Sequence, residues 1–558
     1  MKLYTRLERA EHLAAAEQRV SGGQAQRAIA DDLGVARSTL QAWRAGLPSP
    51  SLPVELAAFF ETPEGVQWLH RVVLSAQFVI TLRAGAGVRM VCEFLHVSGL
   101  SAVVGASYGS QQALNAALET AVVEVADGER TVLAEGMTAR AVTVCEDETF
   151  HPQPCLVALE PVSNFIVLEQ YAADRSAHTW TQALERALEG LAVEVIQGTS
   201  DEAQALRRHH LHDCQAHHSP DLFHVQHEVS KATSLALARQ VKQAETQVAQ
   251  AEAQWQAERA AEQAYQAQQP RPRGRPPAFA ARIQAALSTW ARAKVAHDQA
   301  LARQEEARRC IRALGELYHP YDLTRGQVQS VEQVSERLED IWTRLRRLAE
   351  DAALSERARE RLAKAERMTT ALLATLTFFF LTVHTRLEAL NLPAPLEAAL
   401  RTELIPALYL ERVAARSTGA ETRQRLKTLS AERLAPLRHP AHPLQRLSPE
   451  ERTHLEQVAG DCADLFQRSS SAVEGRNGQL ALYHHGRHRL SPRKLAALTA
   501  VHNYHIRRPD GTTAAERFFG RAHAPLFESL IERVPLPPRP RRQRPPPARQ
   551  PYLTPLAA

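Results

Sequence analysis

The sequence predicts a multidomain α+β chain, mostly helical, in which one mixed β-sheet core is interrupted by a long all-α insertion. Three observations predict it. The 558 residues exceed one ordinary domain of about 150. Strand-like runs are confined to a short stretch after Arg140, and the chain from about 240 to 450 carries helical patterning throughout. With 44% hydrophobic and 23% charged residues, a wholly disordered or collagenous chain is excluded. The net charge of +5 does not by itself announce a nucleic-acid partner. Cys92, Cys145, Cys155, Cys214, Cys310 and Cys462 contain no CxxC, so a reducing cytosol is expected rather than a disulfide framework. The start MKLYTRLERAEHL lacks a signal-peptide core. The most apolar stretch, Thr370 to Val383, falls short of the roughly 20 residues that span a bilayer, so a cytoplasmic protein away from membranes is expected.

The first unit, 1–47, holds QAQRAIADDLGVARSTLQAWRAG, in which Gly34 marks a tight turn between two short helices, Gln24 to Leu33 and Ala36 to Ala45. Ala30 is small where these helices cross, and Ile29, Leu33, Val35, Leu40 and Trp43 supply the miniature core of a helix-turn-helix. The outer face of the second helix then shows Arg37, Ser38, Thr39, Gln41 and Arg44, residue types that bond base edges and phosphates in a major groove. A Pro- and Ser-rich linker, Leu47 to Pro53, follows, and 54–130 reads as a second helical region ending near ADGER.

In 138–240 the order changes to β-β-β-α-β: AVTVC, PCLVALE, NFIVLEQYA, a helix from Thr179 to Glu189, then AVEVIQG. Three antiparallel strands, a helix and a parallel fourth strand begin a ribonuclease-H-like fold, whose first and fourth strands lie side by side. Glu146, Asp147 and Glu148 close the first strand; Asp201 and Glu202 follow the fourth. Carboxylates there face one another, and a third acid on a later helix would complete a site for two Mg²⁺ ions acting on a phosphodiester. Strand alternation does not choose among the neighbouring acids.

The 241–450 insertion opens with two Ala-rich segments read as long helices packed antiparallel, joined by PRGRP. Arg273 and Arg275 in that turn resemble the core of a minor-groove hook, the rival reading being a plain Pro-rich turn between the two helices. The remainder of the core, 451–534, carries Glu474 as the third acid, followed by the basic run ALYHHGRHRLSPRKL with Arg487, Arg489, Arg493 and Lys494. The tail 535–558, Pro- and Arg-rich, reads as disordered. Seven of the 24 histidines crowd His209 to His227; Cys214 and His217 form a CxxH, but no second Cys is near enough to complete a structural zinc site. His224, in DLFHV, is expected on a fifth strand beside the acids, contacting a phosphate or simply packing.

The run SSSAVEGRNGQLALYHHGRHRL resembles the third-acid region of bacterial DDE-family transposases of the insertion-sequence type, and DETFH, DLFHVQHE and RRPDGTTAAERFFG are similar to that family as well. The resemblance covers roughly the whole chain, with the helix-turn-helix in the place of an end-binding domain. It implies catalytic, metal-holding Asp147, Asp201 and Glu474, a Mg²⁺ pair for which Mn²⁺ can substitute, and double-stranded DNA substrates, both element ends and target. A homodimer or larger synaptic assembly in the bacterial nucleoid is implied too. The wide gap between Asp201 and Glu474 is accounted for by the helical insertion. Two rivals share these features in part: a non-enzymatic helix-turn-helix regulator with a helical oligomerisation arm, and a ribonuclease-H-fold nuclease without strand transfer.

Overall fold

The computed structural model describes residues 4–44, 53–150, 153–270, 273–487 and 490–536. Most of the expected linker, Pro272 of the PRGRP turn, Arg489 and nearly all of the tail lie outside the described residues, as does the side chain of Arg487. The described chain is mostly helical around one mixed sheet. Its strands are β1 (Arg140–Phe150), β2 (Pro154–Glu160), β3 (Phe165–Tyr171), β4 (Val193–Ser200) and β5 (His217–Pro220), in the order β3-β2-β1-β4-β5. β2 is antiparallel to β1 and to β3, whereas β4 runs parallel to both β1 and β5. The crossover from β3 to β4 is the Ala177–Leu188 helix, started by the Ser176 hydroxyl accepting from Thr179 N.

Strand register separates the two sheet faces. Cys145, Cys155, Val157 and Leu159 pack against helices from both 54–134 and 471–534, in one continuous apolar core. Leu156, Ala158 and Leu168 face the other way, beneath Trp180 and Leu184 of the crossover helix. Because paired residues in an antiparallel ladder share a face, Glu146, opposite Ala158, and Asp147, opposite Val157, point to opposite sides. The Tyr108–Ala134 helix also departs from expectation: it runs through ADGER. Val125, Ala126 and Leu133 are buried on either side of that charged stretch, so its apolar face continues past Gly128.

A second core runs from Leu222 to Phe466, taking in residues on both sides of the expected 241–450 insertion, with Ile196 of β4 packed against it. The Leu222–Ala267 and Phe279–Leu317 helices pair antiparallel, as their composition predicts, with Ala244, Ala251, Ala286, Ala300 and Ala307 buried and Trp255 stacked on Trp290 at 5.2 Å. Small residues let the two backbones approach, and the tryptophans fill the remaining space. The helix Glu356–Ala389 is long and apolar enough to cross a membrane by length and composition. Its Leu372, Leu376, Phe379, Val383 and Leu387 are nevertheless buried against the other insertion helices.

One strand expectation fails. DLFHV is not a strand: β5 ends at Pro220, and Asp221 caps the Leu222–Ala267 helix by accepting from Phe223 N at 2.8 Å. His224 therefore sits on the first turn of a helix. The apolar run that looks like a strand is the start of the helix's buried face, Leu222, Val225 and Val229.

Candidate active site

The carboxyl ends of three parallel strands converge on one edge of the sheet. Pairing between β1 and β4 stops at Cys145 and Thr199, and β1 continues alone with β2 through Phe150, so Asp147 stands just beyond the shared ladder. Its Oδ1 accepts from Glu148 N at 2.9 Å and its Oδ2 accepts from Asn477 Nδ2 at 2.8 Å. Burial, with the nearby charges of Glu148 and Asp201, pushes its carboxyl up to about 6. Asp201 follows β4 directly, its Oδ1 accepting from Ala203 N at 3.0 Å.

Asp221 follows β5 in the same way. It is fully buried, its N–H bonds Ser200 O at 2.9 Å, and its Oδ2 accepts from Ser470 Oγ. Next to it, Leu222 N donates to Arg468 O at 3.0 Å, so the segment leading into the Ser471–Arg487 helix is fastened to the end of β5. That fastening brings Glu474 to the strand ends. Glu474 forms one cluster with Asp221 and His224, with ligand atoms within 4.8 Å of one another. Burial, followed by the charge of Asp221, raises its carboxyl above the usual range. Asp147, Asp201 and Glu474 thus share one edge, with Asp147 tied to the Glu474 helix through Asn477, but their ligand atoms do not form a set of that tightness among the described residues.

A buried ion pair holds the helix itself. Arg476 Nε and Nη2 lie 2.7 and 2.6 Å from the two carboxylate oxygens of Glu169 on β3, and Thr499 Oγ1 donates to the same carboxylate at 2.5 Å. Both partners are sealed from solvent. The pair therefore carries orientation more than net stability.

Register and partners distinguish the neighbouring acids of β1. Glu146 faces the opposite side of the sheet, fully buried, against His209 and His210. Burial alone would lower His209, yet Cys214 and Glu146 raise it to about 10. Glu148 is held by Arg175 at 2.8 Å, and burial raises Glu202. Asp147 alone of the three β1 acids is bonded to the helix that bears Glu474.

Residues 400–546 match the model of a family of unknown function, DUF6399. The match takes in the end of the helical insertion and the Glu474 helix, but not the strands carrying Asp147 and Asp201. A comparison with curated proteins gave no match.

The N-terminal unit has three helices, Arg6–Ser21, Gln26–Asp32 and Arg37–Arg44. Leu13, Ala16, Ile29, Ala30, Val35 and Leu40 form its core, with Leu33 and Trp43 packed at the margin. Gly34 takes φ +62, a conformation in which a side chain is strained. Arg37, Ser38, Gln41 and Arg44 are exposed on the third helix and Thr39 is half-buried. Arg6 donates to Val103 O at 2.6 Å and docks this unit on the helices behind it.

Other basic residues divide sharply. Arg273 and Arg275 are exposed at the tip of the helical hairpin, roughly 70 Å along a 46-residue helix from Leu222. Lys494 is buried and lies 3.2 Å from Glu119, with Arg493 3.3 Å from the same carboxylate, so this part of the basic run neutralises a buried acid rather than facing the site. The CxxH pairing is absent as well: His217 stacks on Phe378 at 4.5 Å, while Cys214 Sγ approaches His209. Sequence reasoning missed Asn477, Asp221 and Glu169. Only Asn477 had a local signal, because three residues after Glu474 places it on the same helix face.

Proposed function

We propose that this chain is a DNA transposase of the DDE type, with a ribonuclease-H-like catalytic core interrupted by the helical insertion. The observation that carries the reading is the sheet order β3-β2-β1-β4-β5 with Asp147 just past the β1–β4 ladder, Asp201 just after β4, and a helix bearing Glu474 and Asn477 tied to Asp147. The donor set suits a hard divalent cation: oxygen ligands, two of them with affinity for protons raised chiefly by burial, with the charges of Glu148 and Asp201 adding at Asp147 and that of Asp221 at Glu474. Asp147, Asp201 and Glu474 are the residues that would hold Mg²⁺. When bound, such ions stabilise charge on the attacking and leaving oxygens of a phosphodiester.

The chain's own groups supply the rest. Asn477 orients the Asp147 carboxylate through its amide, and Asp221 fixes the start of the Glu474 helix against β5. His224, partly exposed on the first turn of its helix, lies where its ring can bond a phosphate oxygen. The exposed face of the third N-terminal helix reads the element ends, and the hairpin tip reaches DNA far from the acids. A transposase must hold two ends at once, so the working form is a dimer or larger assembly.

The test is cleavage and strand transfer on DNA carrying the element ends, with Mg²⁺, by wild type and by Asp147→Ala, Asp201→Ala and Glu474→Ala. Wild type is expected to cut and join, and each variant to lose at least 100-fold, on the order of the loss for a catalytic electrostatic group. Binding without cleavage would favour a regulator, cleavage without joining a nuclease, and activity surviving in all three variants would remove the site assignment.

A further inference from the structure

On the opposite face of β1, Glu146 meets two imidazoles in a fully enclosed space. Glu146, His209 and His210 are each 0% exposed. Glu146 Oε2 lies 2.9 Å from His210 Nε2, and Oε1 lies 3.6 Å from His209 Nε2. Despite that proximity, both Glu146 oxygens and both His210 ring nitrogens have no hydrogen-bond partner. Buried polar atoms are normally satisfied, and a buried carboxylate and imidazole left this way call for a further partner. The three side chains face one another, with ligand atoms within 4.8 Å.

The surroundings favour that arrangement. The Thr181 hydroxyl lies 2.9 Å from His209 Nδ1 and donates to Asp213 at 3.0 Å. With its proton so engaged, it accepts from the Nδ1–H of His209, which leaves Nε2 as the nitrogen facing the Glu146 carboxylate, where an ion would displace the proton that Glu146 holds on the metal-free ring. Two electron-rich groups facing each other are stable when a cation lies between them, and an outer-shell partner on the second ring nitrogen is the usual companion of a metal-bound histidine. Gly198 on β4 clears the room: a Cβ there would fall 1.9 Å from His210 Cε1 and 2.2 Å from its Nε2. The π-helical turn His209–Asp213 presents the two consecutive histidines to the same carboxylate.

We propose that Glu146, His209 and His210 form a structural site for a transition-metal ion of the Zn²⁺ class, separate from the Mg²⁺ reading of Asp147, Asp201 and Glu474. Two imidazoles and one carboxylate select a borderline ion over Mg²⁺, which takes oxygen ligands and keeps water. The Glu146 oxygens stand 2.9 Å from His210 Nε2 and 3.6 Å from His209 Nε2, near the roughly 3.3–3.6 Å between tetrahedral ligands at about 2.0–2.2 Å from a shared ion, and the chain supplies three of the four ligands. The ion cross-links β1 to the turn before β5 and fixes the residue next to Asp147. Cys214 touches the His209 ring without joining the set.

The experiment uses the full chain purified from zinc-supplemented medium, dialysed, and assayed for metal by mass spectrometry. About one Zn²⁺ per chain is expected in wild type and in the combined Asp147→Ala, Asp201→Ala, Glu474→Ala variant, with loss from Glu146→Gln, His210→Ala and Gly198→Ala. Chelator-treated wild type titrated with Zn²⁺ should rise in melting temperature, and Co²⁺ should give the intense visible bands of a four-coordinate ion. If the variants at Glu146, His210 or Gly198 do not fold, the wild-type titration decides. A wild-type chain with no retained zinc and no thermal response overturns the proposal, as does zinc lost with the Asp147, Asp201 and Glu474 changes instead.

Discussion

Asp147→Asn should stabilise the metal-free protein near pH 8 while abolishing its function. The Asp147 carboxyl is raised from 3.8 to about 6, chiefly by burial, so the fold holds a proton there that the unfolded chain has released. A raised carboxyl contributes stability that is fully present below pH 3.8 and declines as pH rises through about 6. The rise corresponds to about 3 kcal/mol of penalty for the charged form near pH 8, and to only about 0.6 kcal/mol at pH 4. Asparagine removes the charge, but it cannot accept from both Glu148 N and Asn477 Nδ2, which costs about 1 kcal/mol for one lost hydrogen bond. The net gain is therefore about 2 kcal/mol near pH 8, vanishing or slightly reversed near pH 4. Because a chain with two large cores does not unfold in one step, the readout is hydrogen exchange of the β1 and β2 amides in chelator at the two pH values. Added Mg²⁺ should then protect wild type more than the variant. An Asn variant less protected than wild type near pH 8, or a gain that does not change with pH, would refute the reasoning.

Further outcomes follow from other parts of the molecule. Glu169→Gln leaves Arg476 charged and sealed from water, and should cost about 3–5 kcal/mol in the core that the sheet shares with the 471–534 helices, read by hydrogen exchange of the β3 amides; Glu169→Met with Arg476→Met should recover much of it. Replacing Arg37 and Arg44 by Ala should weaken DNA binding and lower the salt slope of log K by about one for each phosphate no longer neutralised, with the fold unchanged by circular dichroism. Gly34→Val forces a β-branched residue into φ +62 and should destabilise the N-terminal unit by about 1–3 kcal/mol in thermal melting, without affecting the sheet. His224→Ala, partly exposed on its helix, should leave stability unchanged and reduce cleavage.

Much of the fold was legible because its signals are local. Alternation in AVTVC and PCLVALE, the turn at Gly34, and the Ala-rich hairpin each depend on residues within one or two turns of each other. DLFHV reads wrongly as a strand for the same reason: four residues of an apolar run fit either period, and the long-range partners that decide it, Arg468 and Ser470, lie far along the chain. Lys494 belongs by sequence to a basic run beside the acids, and its actual partner, Glu119, arrives from the Tyr108–Ala134 helix.

The sequence by itself determined most of the helices, the first four strands and the acids near the carboxyl ends of β1 and β4, since propensity, periodicity and turn chemistry act over short spans, and the order of those elements predicted the parallel placement of β1 beside β4. Only the tertiary structure decided which of Glu146, Asp147 and Glu148 faces the Glu474 helix, because side chains one residue apart point to opposite faces and register is fixed by a partner strand. It also decided that Asp221, Asn477 and Glu169 hold the site together, and that Glu146 meets two histidines. Those contacts join residues dozens to hundreds of positions apart, and burial, which gives them their electrostatic strength, exists only once both cores have closed.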